Sequence, residues 1–137
     1  MISRLRSALA LSAMILLLSA CVVAPQRPSP VVDQNKVWQT ASLALDQGRQ
    51  RYEQGDFEGA TMWLDEALVL KLSSVGETVE AHKLLAFIAC SRGNLSVCRE
   101  HFRSVLALDS RFELAKAEAG HPMWGPVFIE EKAALAH

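Results

Sequence analysis

Tyr52-Glu-Gln-Gly-Asp-Phe-Glu-Gly-Ala60 is the stretch on which the fold turns. Gly55-Asp56 interrupts two runs in which apolar and small residues recur at spacings of three and four, the mark of a helix packed on one face. The layout returns at Gly93-Asn94-Leu95. Each turn is followed by a small residue, Ala60 or Cys98, and four positions later by a bulky one, Leu64 or Phe102. Gly55 and Gly93 lie 38 positions apart, so the chain carries an internal repeat. Strand-like alternation is absent. The pattern predicts four main helices over 33–53, 57–72, 77–91 and 95–108, punctuated by Gly55-Asp56, by Ser73 to Gly76 and by Gly93-Asn94. Short glycine turns fold consecutive helices back on each other. The expected fold class is all-α, with two helical hairpins.

Two hairpins leave an apolar face that a neighbouring element must cover. The candidate cover lies C-terminal. Gly120, Pro122, Gly125 and Pro126 forbid one continuous helix there, while Met123, Trp124, Val127 and Phe128 call for burial. An irregular clasp over the last hairpin is expected, followed by a short helix near Ile129 to Ala136.

N-terminal to the hairpins the composition changes twice. Arg4 and Arg6 precede an apolar run from Ala8 to Leu18, the layout of an export signal. That run is too short to cross a bilayer core, which takes roughly twenty residues. Leu18-Ser19-Ala20-Cys21 closes it and resembles the lipobox of bacterial lipoprotein precursors. The resemblance implies cleavage after residue 20 and a diacylglycerol and an acyl chain, commonly palmitate, on Cys21. Several acyl chains on one residue anchor stably, since each buried methylene adds about 0.8 kcal/mol. Val22 stands where an Asp usually holds such proteins in the inner membrane, so the expected location is the periplasmic face of the outer membrane of a Gram-negative cell. Pro25, Pro28 and Pro30 keep the following stretch extended, a tether with a reach of roughly 30 Å. Three segments result: a signal peptide over 1–20, the lipidated cysteine with its tether over 21–32, and a helical domain over 33–137.

The hairpins resemble tetratricopeptide repeats, helical pairs of about 34 residues with small side chains where the two helices touch. Gly48, Gly55, Ala60 and Ala67 match the family's small positions in the first unit; Ala86, Gly93, Cys98, Phe102, Leu106 and Asp109 fit in the second. The second unit departs from the pattern at Val105, where a small residue is usual, and at Ser110, where the closing proline is missing. Extra residues between Ser73 and Glu77 account for the longer period. The segment Glu118-Ala-Gly-His-Pro-Met-Trp-Gly-Pro-Val-Phe128 resembles the tails of small tetratricopeptide lipoproteins associated with type VI secretion systems.

Little in the chain announces chemistry. The whole sequence has a formal charge of -1; without Arg4 and Arg6, 12 basic residues face 15 acidic ones, a formal charge of -3 that offers nothing to nucleic acid. His82, His101, His121 and His137 fall in different elements without ligand spacing, so no metal or other cofactor is expected beyond the lipid. Glu130-Glu131-Lys132 and Asp65-Glu66 read as charged helix faces, and no nucleophile elbow or phosphate loop is present, so no enzyme is expected. Cys90 and Cys98 flank the Gly93-Asn94 turn nearly symmetrically. A disulfide in an oxidising compartment is one reading. Two reduced, packed cysteines is the other, because the repeat register points Cys90 at the concave face and Cys98 into the helix seam.

Binding in the family that the hairpins resemble uses the concave wall made by the first helix of each pair. That register places Ser42, Leu45, Arg49, Tyr52 and Glu53 on the wall, joined by Glu80, Lys83, Phe87, Cys90 and Ser91. Tyr52 and Phe87 are the candidate anchors for a partner helix or peptide, with Arg49 and Lys83 choosing its orientation. A competing reading has Leu45 and Phe87 covered by the tether or the clasp. The expected function is a membrane-tethered adaptor for a protein partner, an accessory of a type VI secretion apparatus. A pilotin-like escort of a secretin or pilus component and a cell-wall enzyme or its activator are the alternatives.

Overall fold

A computed structural model of the protein describes residues 33–135. The leader, Cys21, the tether and His137 lie outside the described residues. The described chain is helical without strands: α1 (Gln34–Glu53), α2 (Phe57–Leu70), α3 (Val75–Ser91), α4 (Leu95–Leu108), α5 (Lys116–Ala119) and α6 (Gly125–Ala134). α1 pairs with α2 and α3 with α4 as two antiparallel hairpins, α3 also packs on α1 and α2, and α6 lies along α4.

The two tight turns are built alike. Gly55 and Gly93 adopt φ of 76° and 75°, the left-handed conformation that glycine reaches without steric cost. In each, the next residue's N–H reaches back across the turn, Asp56 to the Arg51 carbonyl at 3.0 Å and Asn94 to the Ala89 carbonyl at 2.9 Å. Those bonds satisfy carbonyls that the helix end leaves free. The same two residues start the next helix, since the Asp56 carboxylate accepts from the Gly59 N–H and the Asn94 side chain from the Val97 N–H. One short motif therefore stops a helix, reverses the chain and caps its successor.

The connection between the hairpins differs from the expectation. α2 ends at Leu70 with Lys71 at a φ of 64°, and α3 begins at Val75. Ser74 caps it by accepting from the Glu77 N–H at 3.1 Å, while its own hydroxyl donates to the Glu77 carboxylate. Gly76, read as part of the turn, is inside the first turn of α3.

Inside the first hairpin, Ala41, Ala44, Leu45 and Gly48 of α1 meet Ala60, Leu64 and Ala67 of α2, all buried. The approach is close: a Cβ on Gly48 would lie 2.7 Å from the Leu64 side chain. The second hairpin and the clasp share an aromatic cluster. Phe87 stacks on Trp124 with centroids 4.3 Å apart, and Phe128 stands edge-on to Phe102 at 5.3 Å and to Phe112 at 6.0 Å. Such pairs add roughly 1 kcal/mol each beyond the area they bury. Trp124, Val127 and Phe128 are buried, but Met123 is exposed, contrary to expectation. The chain crosses the hairpin surface there as a turn that directs Met123 outward and Trp124 inward. The last helix begins at Gly125 rather than near residue 129, because Pro126 sits in its first turn, where the missing N–H costs nothing.

Candidate functional site

The residues expected on a concave wall lie on α1 and α3, and several of their polar side chains pair across the two helices. Arg49 holds Glu80 with two hydrogen bonds of 2.8 and 3.0 Å and also reaches Asp46 at 2.8 Å. The bonds it donates to Glu80, and that carboxylate's charge, keep the Arg49 guanidinium more strongly protonated than usual, against the opposing effect of burial. Ser42 donates to Glu77 at 2.7 Å. The bond from Ser42 holds the Glu77 carboxyl below the usual carboxylate range, assisted by those from Ser73 and Ser74. Lys83 turns to the clasp and binds Glu118 at 2.6 Å. Burial raises the Tyr52 hydroxyl above its ordinary value, and the Glu118 charge adds to it, so this one carboxylate faces both halves of the wall.

Three of the wall residues are not available to a partner. Leu45 is 1% exposed and belongs to the core shared by the two hairpins, and Phe87 is 2% exposed beneath Trp124. Trp124 is fixed in turn by its indole N–H, which donates to the Glu118 carbonyl at 2.9 Å, and by His121 stacked on its ring. The clasp thus occupies the part of the wall where Phe87 was expected to anchor a partner. Cys90 is also fully buried and is bonded to Cys98. The helix faces turn enough toward each other near the turn to bring their Cα atoms within 5.2 Å, overriding the divergent directions that the repeat register implied. Glu53 and Ser91 are exposed, and Arg49, Tyr52, Glu80 and Lys83 are partly exposed.

A cleft of about 490 Å3 stays open at the end of the second hairpin remote from its turn. Val75, Val79 and Phe112 give it apolar surface; Glu80, Lys83 and Asp109 give it charge. The repeat register placed Glu80 and Lys83 on this surface but not Val75 or Val79, which lie at the start of α3, nor Phe112, which comes from an irregular segment that no periodicity places.

The structure also brings together two histidines that the sequence left isolated. His82 of α3 and His101 of α4 approach with their Nδ1 atoms 3.0 Å apart. The sequence carried no signal for the pair, because His82 lies 11 residues before Gly93 and His101 seven after Asn94, so equidistance from the turn does not match them. Glu131, read as part of a charged face, is 5% exposed and receives hydrogen bonds from Arg99 and Arg103 at 2.9 and 2.6 Å. Burial pushes its carboxyl up, but the two arginines outweigh that and hold it below the usual range. Among the described residues, no three His, Cys, Asp or Glu side chains are placed to hold one metal ion. Comparison with protein-family models, with curated proteins and with solved structures gives no match to this chain.

Proposed function

We propose that the chain is a bacterial envelope lipoprotein, anchored through Cys21 to the outer membrane, whose tetratricopeptide-like domain holds a protein partner near the lipid surface. The observation that carries the binding role is the cleft beside Lys83. It combines an apolar floor with charges of both signs on its rim and lies at the end of the wall that the clasp leaves open. An apolar floor stabilises a partner's side chain by burial, while the rim charges set orientation and association rate. Tyr52, Arg49 and Glu53 extend the same surface along α1. The tail resemblance makes a type VI secretion component the first partner to test.

The test is capture from detergent-solubilised envelope by the full chain, with Val79→Asp and Lys83→Glu as variants whose helicity has been checked by circular dichroism. Loss of the same co-purifying protein in both variants is the expected result. Equal recovery by wild type and both variants overturns the cleft as the binding surface.

A further inference from the structure

His82 and His101 meet across the seam between α3 and α4, beside a smaller cleft of about 200 Å3 lined in part by Asp65, Leu85, Arg92 and His101. Their ring centroids are 5.3 Å apart and the Nδ1 atoms 3.0 Å. The difference is close to two centre-to-nitrogen lengths of an imidazole, so the two nitrogens point at one another. Rings that share a metal ion aim both lone pairs at a third point, whereas the head-on arrangement is that of a hydrogen bond.

Counting protons gives the consequence. One ring donates its Nδ1–H and the other accepts at its Nδ1 lone pair. The pair can take up one proton, on the donor ring's Nε2, and keep the bond. A second proton must go to the accepting Nδ1, and then two N–H groups face each other with no acceptor between them. Asp65 of α2 and Glu100 of α4 face the pair and favour its charged forms. Burial of both rings opposes protonation more strongly, aided at His82 by the neighbouring His101, and both titrate below the ordinary histidine range.

The rest of the hairpin decides where a broken contact is felt. The Cys90–Cys98 bridge and the Gly93-Asn94 turn fasten one end. His82 lies eight residues before Cys90, on the side toward the open cleft of Val75, Val79, Asp109 and Phe112. We propose that the His82–His101 contact is an acid-sensitive latch: the second proton breaks the bond between α3 and α4 and loosens the hairpin at its open end while the disulfide keeps the turn end shut. The latch extends the proposed function by making the partner cleft respond to acid, but it is tested without any partner, so its failure and that of the binding role are separate.

The sign follows from the lowered values. The loosened state binds protons more readily than the closed one below the ordinary histidine midpoint near 6.5, so closure is fully favoured above about that pH and weakens as the pH falls through the lowered values. Each proton of difference raises the opening equilibrium by at most about tenfold per pH unit. Hydrogen exchange of the full chain in detergent, corrected for the intrinsic rate, reads this directly. Between pH 7 and pH 5 the amides of 75–84 and 104–112 should exchange about tenfold faster, with 88–98 unchanged. His82→Gln with His101→Gln, which replaces the pair by amides that do not titrate, should remove the difference. A pH-independent open end, or the same acid response in the glutamine pair, overturns the latch. If that variant does not fold, histidine titration by NMR decides on the wild-type chain. One ring titrating well below the other, in step with shifts of the open-end amides, supports the latch, and two ordinary independent midpoints overturn it.

Discussion

At the scale of single residues, three glycines with similar exposure have opposite consequences. Gly55 and Gly93 lie in the left-handed region, while Gly76 is in a helix, and a Cβ on any of them meets nothing within 4 Å. Only backbone strain then separates them. Gly55→Val should cost about 1 to 2 kcal/mol, since a branched side chain resists that conformation. Gly76→Ala should leave stability unchanged or raise it by about 0.5 to 1 kcal/mol, because alanine loses less chain entropy in a helix. Urea unfolding of both variants measures the contrast, and equal effects would contradict the turn geometry. Glu131 makes a second contrast with its appearance in sequence. Removing the charge weakens its bonds to Arg99 and Arg103, which themselves reach solvent, so Glu131→Gln should cost about 1 kcal/mol. Because the folded carboxyl titrates below its unfolded value, its contribution is present above about pH 4.3 and is lost as the pH falls. The stability gap between wild type and Glu131→Gln should therefore narrow below that pH. A constant gap from pH 7 to pH 3 in chemical unfolding would remove the ion pair as its cause.

At the scale of elements, the four long helices were legible because glycine turns and three-four spacing leave few alternatives. The start of α3 was missed by two residues although Ser74-Val-Gly-Glu77 has the Ser-x-x-Glu pattern of a helix start, since Gly76 weighed as a breaker. The clasp was legible as a cover but not in its details. Its course depends on Trp124 finding Phe87, a long-range contact without local signal, so the sequence offered Phe87 both as a binding anchor and as a residue under the clasp, with nothing local to decide between them. The fold assigns Trp124 the cost of that choice: Trp124→Ala should destabilise the domain by about 3 to 5 kcal/mol by leaving a cavity over Phe87. Ala60→Trp, at the contact between α1 and α2, should cost about 1 to 3 kcal/mol by overpacking. Thermal melts check both, and an unchanged Tm for Trp124→Ala would mean that the clasp does not hold the hairpin.

At the scale of the whole molecule, the proposed lipid anchor and the proposed binding surface belong to different parts of the chain and would fail independently. Cys21→Ser should leave an unprocessed precursor that takes up no radiolabelled palmitate, and normal labelling would contradict the lipobox reading. The proposed binding surface faces a different demand, because the protein's own tail covers Phe87 and the cleft beside Lys83 is left open. Val75 on that cleft and Val69 on α2 are both exposed, but only Val75 lines it. The most direct measurement places a photoreactive amino acid at each of these positions in living cells and identifies the cross-linked products. A discrete protein adduct from position 75 and none from position 69 is the outcome the proposed function requires. Adducts that are the same from both positions, or absent from position 75 while the protein is folded and anchored, would contradict it.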